Sequence, residues 1–333
     1  MSQRIFLMLG FFVLAMLCLV MVLSTNTKEL SEPKLLFPSL KENASELHRL
    51  DIVTPSETST IVRTGKEWTV SQRDSFPAKR AKLSEMVQQF TSLTLKEKKT
   101  SKDKHYALLG VSDQNAIRID LHAGEEVLTA LFGKPSSGRE GRFVRVGDQV
   151  WLSDEIKIIE KTTDWLEPVI IDVDPEDVVR VEMDSLVFQR NDDDEFYVKN
   201  LPSDRELKYP SIVEEPARAL TKLSLEDVTR HSPERWLDAR RVLFYTKTGL
   251  NVEVLAVRID ENNWLHLRLL QNSESGGDSL LGDLGGDNGT ISDGNIYSAH
   301  IKLPDWDFRV SDYVFDDFEL ELSDLLKDEP QSN

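Results

Sequence analysis

Histidine and acidic side chains are the residues of this chain best suited to chemistry, because they bind metals and transfer protons. The six histidines are scattered, with neither H-x-H nor H-E-x-x-H spacing: His48, His105, His122, His231, His266 and His300. A zinc site read from sequence needs ligands grouped at such short spacings. The sequence therefore assigns no metal ligand.

Carboxylates are dense in two stretches. Residues 192–195 are DDDE, and residues 283–293 read DLGGDNGTISD. The EF-hand frame requires oxygen ligands at positions 1, 3 and 5 and glycine at position 6. Counted from Asp283, position 3 is glycine and position 6 is Asn288, so the frame fails. A flexible acidic loop is our interpretation of 283–293, with calcium binding as the open alternative.

Nucleophile and phosphate motifs also fail to match. There is no G-x-S-x-G elbow, and the single cysteine, Cys18, lies in an apolar run. Residues 133–138, GKPSSG, lack the G-x-x-x-x-G-K-[ST] pattern and stand between two predicted strands, which favours a hairpin loop. We assign no catalytic or cofactor-binding residue and no cofactor, and expect a protein that is not an enzyme.

The chain repeats itself once. Three pairs of strings correspond at offsets of 131, 128 and 130 residues: 50–52 with 181–183, 67–70 with 195–198, and 93–95 with 223–225. Such a spacing indicates two copies of a compact domain, since solenoid units run about 20–50 residues. We predict the first copy over residues 38–165 and the second over 166–326.

Each predicted copy contains strands, one main helix and further strands, an order typical of an α+β fold with mostly antiparallel pairing. In the first copy the helix follows Pro77 and carries one apolar stripe: Leu83, Met86, Val87, Phe90 and Leu93. In the second copy Pro216 stands at the position of Met86. Proline breaks or kinks a helix interior, so this helix should be short or begin near Pro216.

The N-terminus predicts a membrane anchor. Residues 5–23 are uncharged and apolar, and 19 helical residues reach roughly 28 Å, close to the thickness of a bilayer core. A cleaved signal peptide is the alternative, although its apolar core is usually about 7–15 residues. We expect a cytoplasmic stub at 1–4, a transmembrane helix at 5–23, a linker at 24–37 and an exported body.

Charge bounds the choice of partners. The formal net charge of −18 argues against general binding to nucleic acid, which needs a basic face. Residues 63–104 are locally basic, with eleven Lys or Arg against five Asp or Glu, and form either a solvated helix face or a docking surface.

The stretch 271–295 should be a polar loop, and 327–333 a disordered tail.

Several motifs together carry a resemblance. They are the N-terminal anchor, the order strand–Trp68–Pro77–helix, and the strings YALLG at 106–110, FGK at 132–134, FVR at 143–145, VWL at 150–152, WL at 165–166 and VDPEDV at 173–178. The chain resembles domain of unknown function family 4340 over most of residues 36–270. The resemblance implies a bacterial protein that is anchored in the inner membrane, has its body in the periplasm and is of the kind encoded beside gliding-motility-type ABC transporters. The family has no established catalytic residues to carry over.

Three functions follow as hypotheses. The first is a non-catalytic, membrane-anchored periplasmic accessory subunit that binds the permease or an auxiliary membrane protein of an ABC-type transporter. The second is an envelope module that binds a glycan or peptide through Trp236, Trp264 and Trp306. The third is an exported hydrolase, which would need a converging pair of acids, or a histidine beside an acid, in a cleft.

Overall fold

The computed structural model describes residues 34–271 and 301–327. The predicted membrane span at 5–23, most of the polar loop 271–295 and the tail beyond Lys327 lie outside these ranges. None of the helices within the described ranges combines the length and apolar character needed to span a bilayer.

Ten strands form the first sheet, and every pairing in it is antiparallel. They are β1 (Lys34–Leu35), β2 (Leu47–Val53), β3 (Thr58–Thr64), β4 (Glu67–Val70), β5 (Phe76–Pro77), β6 (Thr94–Lys98), β7 (Ile117–Ala123), β8 (Glu126–Pro135), β9 (Arg142–Val146) and β10 (Gln149–Ser153). Their order is β1-β6-β10-β9-β8-β7-β2-β3-β4-β5. The chain is therefore β-rich, as its alternating pattern predicts.

The second half contains an antiparallel sheet of eight strands and a separate strand pair. The strands are β11 (Val169–Ile171), β12 (Val178–Met183), β13 (Leu186–Arg190), β14 (Phe196–Val198), β15 (Leu223–Ser224), β16 (Asp227–Arg230), β17 (Arg240–Thr246), β18 (Leu250–Ile259), β19 (Asn262–Gln271) and β20 (Trp306–Val310). The larger sheet has the order β14-β13-β12-β17-β18-β19-β20-β16, and β11 pairs with β15.

The two sheets have the same strand order. Written from one edge, the first contains β4-β3-β2-β7-β8-β9-β10-β6 and the second β14-β13-β12-β17-β18-β19-β20-β16. Registers correspond as well: Leu50 pairs with Leu121 of β7, and Val181, 131 residues later, pairs with Phe244 of β17. The pair β11–β15 matches β1–β6, so the single strand β6 is divided into β15 and β16 in the second half.

Helices are few and mostly a single turn: α1 (Leu40–Asn43), α2 (Arg80–Ser92), α3 (Tyr106–Leu109), α4 (Glu215–Arg218), α5 (Asp312–Asp316) and α6 (Leu322–Leu325). The stripe of α2 is buried at Leu83, Met86 and Phe90. Helix α2 begins at Arg80, not at Pro77, because Pro77 pairs with Thr69 in the sheet. In the second half the main helix is reduced to a 3-10 turn followed by α4, which contains Pro216 near its start.

Several residues in stretches of loop-like composition are held by contacts with the folded body. Leu36 and Phe37, assigned to the linker at 24–37, are buried in the core next to β1. Leu303 is buried at the start of a 3-10 turn that precedes β20. Lys327, assigned to the tail, is bonded from its Nζ to Glu206 at 2.7 Å. In each case apolar burial or an ion pair orders residues whose local composition is that of a loop.

One short loop joins the two halves. Arg73 of the first half forms a bidentate ion pair with Asp227 of β16, at 2.5 and 3.0 Å. Asp74 and Ser75 then adopt positive φ angles of 52° and 64°, which turn the buried Phe76 toward the second sheet. The Phe76 ring meets Trp306 edge to face at 5.0 Å between centroids. The residues of both sheets consequently share one continuous core.

Candidate functional site

The most concentrated polar site is centred on Asp307 and includes His231, Ser232, Arg235, Trp236 and His266; we call it the Asp307 cluster. Asp307 is the second residue of β20, and His266 lies on the neighbouring strand β19. The other four residues belong to the turn between β16 and β17, part of which is a 3-10 helix at Pro233–Trp236. The sheet order therefore brings together residues that are far apart in sequence.

Four donors and a fifth, longer contact from His266 surround the Asp307 carboxylate, which has no solvent exposure. Oδ1 accepts from His231 Nδ1 at 2.8 Å and from Trp236 Nε1 at 3.1 Å. Oδ2 accepts from the Ser232 backbone N–H at 3.0 Å and from Arg235 Nη1 at 2.6 Å. A buried carboxylate is tolerated when it is paired and fully hydrogen-bonded, and Asp307 meets both conditions.

The two histidines of the cluster are stacked. Their ring centroids are 3.9 Å apart and the planes are 28° from parallel. His266 Nδ1 lies 3.0 Å from the Trp306 carbonyl oxygen, so this nitrogen carries a proton, and it is also 3.2 Å from Asp307 Oδ1. The Arg235 guanidinium covers the Trp264 ring at 4.4 Å. These contacts fix the β16–β17 turn against the sheet.

The donors also explain the protonation of Asp307. Burial by itself would raise the pKa of this carboxyl, but hydrogen bonds from His266, His231 and the Ser232 N–H outweigh it and lower the pKa. The carboxylate is therefore ionised at neutral pH, beside the Arg235 cation. The charges compensate each other inside the fold.

A metal ion does not fit this cluster. A ligand atom from each of His231, His266 and Asp307 lies within 4.8 Å of the others, which is a spacing compatible with coordination. A histidine binds a metal in its ring plane at about 2.0–2.1 Å, whereas the planes of these two stacked rings run side by side. Asp307 also already binds four donors, one of them a cation. The arrangement is suited to anchoring a turn.

A histidine beside an acid is also the pair that orients a general base. Within the described ranges, however, the His231 side chain makes its hydrogen bond to Asp307 alone, with no hydroxyl or thiol nucleophile bonded to it. The pair thus supplies the histidine and the acid that a hydrolase would need, but not the nucleophile. The surrounding hydrogen bonds are those of a structural anchor.

A second polar arrangement occurs on the central strands of both sheets. In the first half Asp51, 7% exposed, accepts from Arg49 Nε at 2.8 Å and Thr60 Oγ1 at 2.7 Å, and lies 2.9 Å from His122 Nε2. Burial opposes ionisation of Asp51, but the bonds from Arg49 and Thr60 lower its pKa overall. An acid is thus held between a guanidinium and a ring donor.

The second half repeats this arrangement at the matching positions. Glu182 takes the place of Asp51 and is paired with Arg180. Tyr245 takes the place of His122; burial and the charge of Glu182, which also bonds to its hydroxyl, raise the pKa of Tyr245. These two arginine–acid pairs could have been predicted from the repeated strings Arg49-Leu50-Asp51 and Arg180-Val181-Glu182. Alternate residues of a strand share a face, so the arginine and the acid of each string lie side by side. The matched strings 50–52 and 181–183 include the two acids but begin one residue after the two arginines.

The structure places the remaining sequence candidates as follows. His48 and His122 are neighbours, with ring centroids 6.1 Å apart, while His105 lies in a 3-10 turn and His300 is outside the described residues. Residues 192–195 form a turn before β14, and 283–293 are outside the described residues. Gly133, Lys134 and Pro135 end β8, and the hairpin loop follows them.

The three tryptophans proposed as ligand contacts all adjoin the Asp307 cluster. Trp236 and Trp306 are buried, at 9% and 4% exposure, and Trp264 is half-buried beneath Arg235. Arg230 covers the Trp306 ring at 4.0 Å. Their faces are therefore occupied by protein groups, which favours core positions over ligand contacts for all three.

Asp317, just after α5, is destabilised as an anion. Burial raises its pKa to about 6, and the charges of Glu215 and Asp316 act in the same direction. The native state therefore holds a proton that the unfolded chain releases near pH 4, so stability falls as pH rises from about 4 to 6 and then stays level.

We expect Asp317→Asn to stabilise the protein at pH 8 by about 2 kcal/mol, because partial exposure reduces the roughly 3 kcal/mol that a two-unit shift implies. The gain should shrink toward zero at pH 4. Urea unfolding at both pH values measures it. Asp193→Asn, in the exposed turn before β14, is the control and is expected within about 0.5 kcal/mol of wild type; an equal gain at both pH values for Asp317→Asn would contradict the argument.

Strand order and polar sites define a β-rich protein built on antiparallel sheets, with charge clusters that are satisfied internally. The chain belongs to the family described as Domain of unknown function (DUF4340), whose model matches residues 68–239, just over half of its length. The match runs from Trp68 in β4 to the residue before β17, so it includes His231 and Arg235 but not Asp307. No curated protein and no solved structure matches the chain.

Proposed function

We propose that this protein is a membrane-anchored, extracytoplasmic accessory subunit of an ABC-type transporter that acts through protein–protein contact. The observation that carries the proposal is the repeated strand order of the two sheets. Two like sheets with satisfied polar clusters provide a rigid frame, and a frame of this kind is suited to holding other proteins. The proposal assigns no catalytic residue.

The position of β1 supports attachment close to a membrane. Ten residues separate the apolar run 5–23 from Lys34, where β1 begins. Ten residues span at most about 33–36 Å when fully extended. If 5–23 crosses the bilayer, the first sheet lies within that distance of its surface, where the extracytoplasmic loops of a permease would also lie. The transporter class itself comes from the resemblance to family 4340.

The proposal is tested by purifying the tagged full-length chain from native membranes in mild detergent. We expect the ATPase and permease of one transporter to be enriched at least tenfold over a purification of an unrelated single-span protein expressed at the same level. The proposal would be contradicted if the chain were recovered with no transporter component enriched over that control purification.

A further inference from the structure

An open strand edge follows the first sheet. Residues 154–161, directly after β10, contain no helix, turn or bend. Their burial alternates as in a strand: Ile156 and Ile158 are buried, whereas Glu155 and Lys157 are exposed. This segment has the side-chain alternation of a strand but belongs to no sheet in the described part of the chain.

Most backbone N–H and C=O groups of this segment have no hydrogen-bond partner in the described part of the chain. Among the residues that the structure describes, no hydrogen bond is formed by the N–H or C=O groups of residues 155–160. More than nine-tenths of buried backbone groups in proteins are paired, and a row of unpaired groups is a template for another strand. Six residues provide an edge about 20 Å long.

A groove runs beside this edge. It has a volume of about 530 Å³ and lies between the segment and helix α2. Met86 of α2 and Ile158 and Ile159 of the segment contribute apolar surface, and Glu85 and Lys157 are among its charged walls. The groove therefore offers apolar contacts next to unpaired backbone groups, which are the two elements of strand addition.

The second half lacks this edge. After β20 the chain enters helix α5, whose Phe315 is buried in the core. The position that follows the last strand is thus closed in one half and open in the other. The free edge is a property of the first half alone, and does not follow from the repeated framework.

We infer that residues 155–160 bind an extended segment of a partner protein, which adds to the first half as an antiparallel or parallel strand. The inference rests on the proposed function, because it assigns a surface to its partner. Backbone hydrogen bonds would supply the contact along the edge. Side chains at alternate positions of the partner segment would fill the groove, with an apolar residue against the partly exposed Ile159.

The test places a photo-crosslinking amino acid at Glu85 in the full-length chain in native membranes, followed by sequencing of the crosslinked peptides. The matched control is Gln88, which is exposed on the same helix and does not line this groove. We expect Glu85 to crosslink one short segment of one partner at least tenfold more than Gln88. Equal yields, or a peptide from this chain itself, would overturn the inference.

Two proline substitutions then test strand pairing. Alternate residues of a strand direct their N–H groups to opposite sides, so Lys157→Pro and Glu160→Pro remove donors from opposite edges. Neither loses a native hydrogen bond, and proline suits an extended chain. We expect one variant to lower the Glu85 crosslink at least tenfold and the other less than twofold, with unchanged thermal unfolding. Equal effects of the two prolines contradict strand addition.

Hydrogen exchange gives a measurement without mutation. Amides of 155–160 should exchange freely in the purified chain, and alternate ones should be protected at least tenfold in the complex; uniform exchange in the complex overturns the inference. The outcomes also separate the two proposals. A transporter recovered with no Glu85 crosslink refutes the strand edge alone, whereas a strand-paired crosslink to a single protein outside any transporter refutes only the transporter assignment.

Discussion

Replacing Asp307 with alanine is expected to lower the free energy of unfolding by about 3–5 kcal/mol, the cost of breaking a buried ion pair from one side. The change leaves the Arg235 guanidinium, the Ser232 N–H, the Trp236 indole N–H and the His231 ring without their acceptor. Urea unfolding at pH 7 followed by tryptophan fluorescence measures the loss.

Asp305 is the matched control for this experiment. It lies two residues earlier, is half-exposed, and its side chain is 3.9 Å from Arg230. Because exposed ion pairs contribute little, Asp305→Ala should change stability by less than about 1 kcal/mol. A loss below about 1 kcal/mol for Asp307→Ala would show that the cluster does not anchor the turn.

The same carboxyl predicts a pH dependence. The pKa of Asp307 is lowered in the native state, so its contribution is complete above the ordinary carboxyl pKa and is lost as pH falls through the native value. The stability difference between wild type and Asp307→Ala should therefore be constant above about pH 5 and should narrow in more acidic solution.

Phe76→Ala should also cost about 3–5 kcal/mol, the range for removing a fully buried phenylalanine. The Phe76 ring has no exposure and contacts both Trp306, at 5.0 Å, and Phe308, at 6.4 Å between centroids. Because this ring joins the two halves, its loss should also separate their unfolding transitions.

Far-UV circular dichroism and tryptophan fluorescence, compared along one urea titration, would detect that separation. Tyr313→Ala is the aromatic control, since Tyr313 is 83% exposed and should cost less than about 0.5 kcal/mol. Coincident transitions together with a small loss in Phe76→Ala would mean that the ion pair of Arg73 and Asp227 holds the halves together without the ring.

Local patterns predicted much of this fold. The stripe of α2 follows from the period of its apolar residues, and the short helix α4 follows from the placement of Pro216. These elements are local, so neighbouring residues carry the information that specifies them.

The Asp307 cluster could not be predicted in the same way. His231 and Asp307 are 76 residues apart, and only the placement of β20 between β19 and β16 brings them together. The pairing of strands depends on the whole sheet, which no short string encodes. The repeated Arg-x-acid strings differ in this respect, since their two-residue spacing was visible in the sequence.

The short strand β1 determines how the fold responds to force. It is held by two residue pairs with β6 and by one further bond from the Leu36 N–H to Leu93. A pull on the N-terminal end would load these bonds first and then the buried Leu36 and Phe37. The end would peel away in small steps before the large sheet carried any tension. Strand β1 would thus detach at a low force and limit the tension that reaches the rest of the first sheet.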